Sequence, residues 1–445
     1  VDASGSISFG LESSAVPGVD AVTDGLWHHV GVTRSAANSV QIWIDGETNG
    51  SPVTVSTSID QTRNWHIGGR SEDHDRNFDG LIDEVRLYSR ALTAGDVAEL
   101  CAEREDLTDW VYYKEITVDH TKVQGSTDLT NFPLLVSLDS DADLAAKVRY
   151  EGRDIAFGLP DTQTFLDYEL ELFNPATGNM TAWVRVPVLR ASEPTRVRMY
   201  FDGPPRPAST AGVWSNVYEA VWHMNDDPAA AQPDIQDSAG GRHHGSATAS
   251  MGSDDLVTGK IGQALRFEDG SNDYVRAVDY RGPTGDLTAS VWFKVNDASV
   301  QQRLIGNHKA EDGEGSGQHW WLEVTEDNIY GGIDDGAAGG DDVVFAQGGA
   351  PQDATWHLAH LVFDGDKTLT GYLDGDAVFT SSETATIDYL SPGLDIFIGK
   401  KANEDFPQRF VVGLLDEIRL SSRALSLDWI KTEHNNQSDP SSFYS

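Results

Sequence analysis

The sequence is poor in cysteine, in lysine and in long apolar runs. Of its 445 residues one is cysteine, Cys101, so no disulfide can form within the chain. Cys101 follows the helical-looking stretch TAGDVAEL and is expected to pack as a small hydrophobe. Lysine occurs 10 times against 22 arginines, and 71 acidic residues leave a net charge of −39. So acidic a surface argues against nucleic acid as a partner, because a phosphate backbone is bound by basic side chains that displace its counterions. No stretch approaches the roughly 18 apolar residues of a membrane helix, so no membrane insertion is expected. Nucleophile-elbow, zinc and phosphate-loop motifs are also missing. Asp83-Glu84 and Asp416-Glu417 are adjacent pairs, and neighbours on a strand face opposite ways. No run therefore sets two carboxylates about 5 Å apart on one face, as a retaining glycosidase needs. The chain is expected not to be an enzyme.

What the chain does contain is a phrase used twice. Residues 80–92 read GLIDEVRLYSRAL and residues 413–425 read GLLDEIRLSSRAL, identical at ten of thirteen positions. Upstream, Trp27-His28 precedes Asp45-Gly46, and Trp356-His357 precedes Asp374-Gly375, with eighteen residues from Trp to Asp in both. The Trp lies 56 residues before the Asp of the repeated phrase in the first copy and 60 in the second. A period this long means two copies of a domain type rather than a solenoid.

Alternating apolar and polar residues (HHVGVTR, VQIWIDG, LIDEVRLY) give residues 1–105 the period of antiparallel strands, with Asp-Gly and Asn-Gly turns and a short closing helix capped by Thr93. Residues 106–210 supply six strand candidates: Tyr112–Asp119, Phe132–Leu138, Asp154–Gly158, Leu166–Phe173, Met180–Val188 and Thr195–Phe201. That density is the density of a small sandwich. The stretch GPPRPAST (203–210) reads as a linker. Residues 211–434 form the full-length version of the repeated domain, and 435–445 read as a polar tail. The fold class is all-β, in three β-sandwich units. Only 26 residues precede Trp27, against about 140 between the third unit's start and Trp356. The first unit is thus expected to be the C-terminal half of a sandwich, completed by upstream sequence or by a neighbouring copy.

On the phrases WHHVGV (27–32), IWIDG (42–46), GLIDEVRLYSRAL, VWHMND (221–226), DSAGGRHHG (237–245), LTASVWFK (287–294) and GLLDEIRLSSRAL, the first and third units resemble laminin-G-like, concanavalin A-type jelly rolls. The middle unit, with WVYYKEITVDHTKV (110–123) and FNPATGNMTAWVRVP (173–187), resembles the β-domain of no established role that precedes such modules in secreted bacterial and archaeal proteins. The resemblance implies a structural Ca2+ tying the start of the module to its last strand. The matching residues are Asp237 and Asp416, and Asp83 in the first unit. Calcium takes carboxylate and carbonyl oxygens, which suits these loops. The acidic stretches 73–79 and 334–342 read mainly as solvated loops. Trp320 and Trp321 alternate across a strand, so one is expected in the core while the other stacks on a sugar, with Tyr330 nearby.

The expected function is a non-catalytic, secreted or cell-surface protein, a lectin-like array binding a glycan or a surface protein and serving adhesion. A structural subunit of an extracellular filament, a viral fibre included, is the alternative. There copies of the chain would join through the truncated first unit. A glycosidase or lyase on the same fold is a further alternative.

Overall fold

The computed structural model describes residues 5–11, 14–23, 28–55, 67–68, 78, 80, 82, 85–97, 110–160, 164–204, 208–215, 217–240, 242–268, 272–278, 280, 285–295, 301–309, 319–325, 328–334, 345–346, 354–364, 368–382, 394–400 and 410–445. Trp27, Asp83, Glu84, Cys101 and the acidic loops 73–77 and 335–344 lie outside the described residues. Among the described residues no helix is long and apolar enough to cross a membrane. The chain forms two compact units, 1–109 and 110–445.

In the first unit β1 (Ser6–Leu11) and β2 (Ser14–Ala21) make an antiparallel hairpin. Strands β3 (Val30–Arg34), β4 (Ser39–Ile44) and β5 (Glu47–Thr54) make a meander. Asp45-Gly46 turns β4 into β5 with φ of 51° and 88°. Positive φ at both residues is what a two-residue hairpin turn requires, hence Asp-Gly. A single helical turn follows at Ala94–Val97. The Thr93 hydroxyl accepts from Asp96 N at 3.2 Å, and the Asp96 carboxylate accepts from Thr93 N at 2.7 Å, a reciprocal cap. The described core is small: Val16, Val40, Ile42 and Val55.

The second unit begins with six strands where the alternation places them. They are β6 (Tyr112–Val118), β7 (Leu129–Leu138), β8 (Ile155–Gly158), β9 (Tyr168–Asn174), β10 (Asn179–Leu189) and β11 (Thr195–Phe201). Two three-stranded sheets result, in the orders β7-β10-β9 and β6-β11-β8. Helix α1 (Ala142–Lys147) is capped by Asp141, and α2 (Thr210–Trp214) packs on β9 and β10.

The remainder is a two-sheet sandwich. Its strands are β12 (Ala220–Trp222), β13 (Gly245–Ala247), β14 (Leu256–Thr258), β15 (Gln263–Phe267), β16 (Val275–Ala277), β17 (Leu287–Val295) and β18 (Gln302–Lys309). They continue with β19 (His319–Thr325), β20 (Asn328–Asp334), β21 (Phe345–Ala346), β22 (His357–Asp364), β23 (Thr368–Leu373), β24 (Asp376–Ser382), β25 (Leu394–Ile398) and β26 (Gly413–Ser421). One sheet runs β14-β15-β26-β17-β22-β23-β24, with β12 also on β26; the other runs β13-β16-β25-β18-β19-β20-β21. Trp222, Phe267, Phe293, Trp320, Ile396 and Ile418 fill the space between them. Helices α3 (Leu427–Ser438) and α4 (Pro440–Phe443) close the chain.

Three expectations change. The six-stranded sandwich and the jelly roll are not separate bodies on a linker. One apolar cluster joins Trp183, Trp214 and Phe132 to Val221, Val362, Tyr372 and Trp429. The segment 435–445 is not a polar tail, since Phe443 is fully buried and Asn436 and Gln437 nearly so. Its polar groups instead cap sheet edges: Asn436 accepts from Leu135 N at 2.7 Å and donates to Leu135 O at 3.1 Å. Third, the repeated phrase has two environments. As β26, its Leu415, Ile418 and Leu420 are 0% exposed, whereas Ile82, Val85 and Leu87 in the first unit are 44%, 60% and 73% exposed.

The shared Trp-His and Asp-Gly phrases find their reason here. His28 Nδ1 lies 2.7 Å from Asp45 Oδ2, and His357 Nδ1 lies 2.6 Å from Asp374 Oδ2. In each unit the next backbone N–H donates to the other oxygen of that Asp, at 2.9 Å in the first and 3.0 Å in the second. The histidine thus anchors the hairpin turn. Burial pushes Asp374 up, but the His357 ring and Leu358 N–H outweigh it and hold the carboxyl below its ordinary value. A depressed carboxyl stabilises the fold above its unfolded pKa of about 4 and loses that contribution as the pH falls through its folded value. Asp374→Asn is therefore expected to lower the melting temperature of the second unit at pH 7, with the gap to wild type closing below about pH 4. A gap independent of pH in calorimetric scans would contradict this.

Candidate functional site

The outward face of the seven-stranded sheet carries the first group. Trp320 points inward into the core, as alternation requires for one of the pair, and its backbone N–H donates to Asn307 Oδ1 at 2.7 Å. Trp321 points the other way. Gly306 and Gly332 lie beneath it, and a Cβ at Gly332 would sit 2.1 Å from the Trp321 ring, so glycine there clears room for the indole. The Arg303 guanidinium lies 5.3 Å from the ring centroid, a cation–π contact. Arg303 Nε donates to Glu323 Oε1 at 2.6 Å, with side chains 3% and 0% exposed. Tyr330 pairs across the sheet with Glu323 and is half-buried. The expected open indole is thus corrected: Trp321 is 5% exposed. Tyr330 is the more accessible ring of this group, on the face it shares with Trp321, Glu323 and Arg303.

The carboxylates of β26 form the second group. Asp416 and Glu417 were expected on opposite faces. Glu417 instead has φ of 46°, and the β17–β26 register slips between Ser290 and Trp292. This β-bulge adds a residue to β26. Leu415, Ile418 and Leu420 stay in the sandwich core. Asp416, Glu417 and Arg419 all turn to the other side, against the six-stranded sandwich.

There they meet a cluster that sequence reasoning missed. His223, just after β12, places Nδ1 2.6 Å from Glu417 Oε1 and 3.8 Å from Glu171 Oε2. Its Nε2 lies 3.2 Å from Glu169 Oε2. Arg419 donates to Glu417 at 2.6 Å and to Glu433 of α3 at 2.8 Å. His360 Nε2 sits 3.1 Å from the other Glu433 oxygen. Arg419 also stacks on Trp183 and Trp214, 4.2 and 4.8 Å from the ring centroids. All of these groups except Glu169 are almost wholly buried. Burial alone would lower His223, but Glu417 and then Glu169 hold it well above its ordinary value. Burial and the Glu417 charge raise Asp416 strongly and push Glu171 up to about 7. The sequence signal was Glu169-x-Glu171 inside the strand YELELF: two charges on one face of a strand whose other residues are apolar.

The proposed calcium ligands do not share a site. Both oxygens of Asp237 are taken by backbone N–H groups: Val221 and Ala239 at 3.0 and 2.9 Å, Arg242 and His243 at 3.2 and 3.1 Å. A carboxylate offers about four acceptor directions, so none is left for a cation. Asp416 instead binds Lys260 N and Ile261 N through Oδ2, at 2.8 and 2.9 Å. It faces Glu417 and Glu171 rather than the Asp237 loop. The two carboxylates fasten different loops, and this pair does not fit calcium.

Several solved structures are similar in fold over part of the chain. The carbohydrate-binding module CBM40 of the Ruminococcus gnavus IT-sialidase, bound to alpha2,3 sialyllactose, is 14% identical with a TM-score of 0.31, over 34% of this chain and 83% of its own. Domain 4 of AbnA, a GH43 extracellular arabinanase of Geobacillus stearothermophilus in complex with arabinotriose, is 16% identical with a TM-score of 0.37, over 49% of this chain and 97% of its own. The binding domain of Paraclostridial Mosquitocidal Protein 1 is 16% identical with a TM-score of 0.37, over 49% of this chain and 52% of its own. No curated protein matches the sequence. The family model Laminin_G_3, described as the concanavalin A-like lectin/glucanases superfamily, matches residues 1–98 and 269–431, more than half of the chain. With the two-sheet sandwich and the doubled phrase inside that match, the chain belongs to the laminin-G-like family of the concanavalin A-like superfamily.

Proposed function

We propose that the chain is a non-catalytic, extracellular binding protein. Its complete jelly roll takes a glycan or a surface protein on the outward face of the seven-stranded sheet. What carries this reading is the half-buried Tyr330, the ring of this group that reaches solvent, beside a fixed buried floor of Trp321, Arg303 and Glu323. Aromatic surface with a few fixed polar groups is the usual make-up of a ligand site. Tyr330 offers a face for a sugar ring, while Trp321 holds Arg303 in place. The carboxylates that do share a face, Asp416 and Glu417, are at most 1% exposed. A glycosidic bond has no route to them, which supports a binding role over hydrolysis.

The test is a glycan array with the full chain. Tyr330→Ala is expected to weaken the best-bound glycan at least tenfold with folding intact, whereas Trp320→Ala and Trp321→Ala, at buried rings, should show up as loss of stability. Hydrolysis of the bound glycan, or affinity unchanged in Tyr330→Ala, would sink the reading. A second reading, an assembly subunit, is favoured by the exposed Ile82, Val85 and Leu87, since soluble monomers rarely leave an apolar group of that kind open. Sedimentation of the array sample separates the two: a mass many times that of one chain supports assembly, and a monomer removes it.

A further inference from the structure

We propose that Glu171, His223 and Glu417 bind one divalent transition-metal cation, of the zinc or manganese kind, at the seam between the six-stranded sandwich and the jelly roll. One donor atom from each lies within 4.8 Å of the others, close enough to move onto a shared ion. The ligands come from both sides of the seam, Glu171 from β9 and the other two from the start and end of the jelly roll. A bound ion would clamp the two together.

Three independent observations point to a cation. The first is the pose of His223. Nδ1 faces Glu417 and Glu171, while Nε2 is held by Glu169, which also accepts from Trp214 Nε1 at 2.6 Å and Ser238 Oγ at 2.8 Å. An imidazole anchored by a carboxylate through one nitrogen, with the other nitrogen aimed at oxygen ligands, is how proteins fix metal-binding histidines. The second is a pair of orphaned oxygens. Asp416 Oδ1 and Glu171 Oε1 are fully buried and accept no hydrogen bond, and Asp416 sits within the fields of Glu417 and Glu171. An unpartnered buried carboxylate oxygen is costly unless a proton or a cation meets it. The third is charge. Glu169, Glu171, Asp416, Glu417 and Glu433 face one guanidinium, Arg419, and two imidazoles, His223 and His360. With His223 neutral, as a ligand must be, a divalent cation offsets two of those negative charges. The mixed imidazole and carboxylate set favours zinc or manganese over calcium, which takes oxygen ligands.

The experiment uses the full chain, stripped with chelator and dialysed. Zinc chloride is titrated by calorimetry, and metal content is read by mass spectrometry. One zinc per chain is expected, with a rise in melting temperature. Glu171→Gln, which keeps the shape of the side chain, should cut zinc affinity at least a hundredfold while circular dichroism stays that of the wild type. Zinc K-edge spectroscopy on the wild type should read one nitrogen ligand among oxygens, which covers the case of a variant that does not fold. The proposal is overturned if no stoichiometric zinc or manganese binds, if Glu171→Gln binds as the wild type does, or if the edge shows only oxygen ligands. It is also overturned if Glu171→Gln is more stable than the wild type with metal present, because shared protons would then hold the cluster.

Discussion

Arg419→Met is expected to cost the second unit about 3–5 kcal/mol, the usual result of removing one partner from a buried ion pair. The guanidinium is 1% exposed and meets Glu417 at 2.6 Å and Glu433 at 2.8 Å. Burial works against its charge, but Glu417 and Glu433 raise its pKa, so it stays a cation. Methionine fills the volume and leaves both carboxylates without it. Arg419 also lies against Trp183 and Trp214, so the loss falls on the seam, where β10 and α2 meet β26. Urea unfolding of the full chain, followed by tryptophan fluorescence, should show the midpoint of the second unit falling sharply. Adding Glu417→Gln and Glu433→Gln in metal-free protein should restore much of the loss, because the uncompensated charge, not the missing contact, dominates it. A cost under about 1 kcal/mol for the single variant would show that the cluster is already neutralised by protons.

Phe443→Ala should also cost about 3–5 kcal/mol, as for large aromatic truncations in a packed core. Phe443 is 0% exposed and belongs to the cluster that joins the sandwich to the jelly roll. The terminal residues also close open edges. Thr117 and Ser445 exchange backbone hydrogen bonds at 2.9 and 3.0 Å, and Asp119 N donates to Phe443 O at 2.9 Å. Tyr444 Oη accepts from Ser137 N at 2.7 Å and donates to Ser137 O at 2.9 Å. These contacts occupy groups that would otherwise invite pairing with another chain. Deleting 439–445 should therefore destabilise the unit at least as much and promote self-association, read by light scattering. A deletion variant that unfolds as the wild type does would mean that the segment is not part of the fold.

Strand positions were largely legible in the sequence, because a half-buried strand writes its two faces into alternate residues. The middle six strands are of this kind, although only β9 and β10 pair as a hairpin, while β6 and β8 pair with the distant β11 and β7 pairs with β10. The histidines of the shared phrase read from sequence as packing, and only the structure showed that His28 and His357 anchor the Asp45 and Asp374 turns. The doubled phrase likewise determined the family. The candidate site was legible only in part. Trp320 and Trp321 were correctly split between faces, but the burial of Trp321 depends on Arg303 from another strand. The Asp416–Glu417 geometry turns on a bulge that alternation does not encode. The polar look of residues 435–445 concealed a buried role, because Asn436 and Tyr444 satisfy edges some 300 positions away in the chain. His223, Glu171 and Glu417 come together only when two sandwiches pack. Local periodicity thus determined the strands and their family. Which charges meet, and which polar residues are buried, was decided by long-range packing, because desolvation and pairing depend on neighbours that the order of residues does not name.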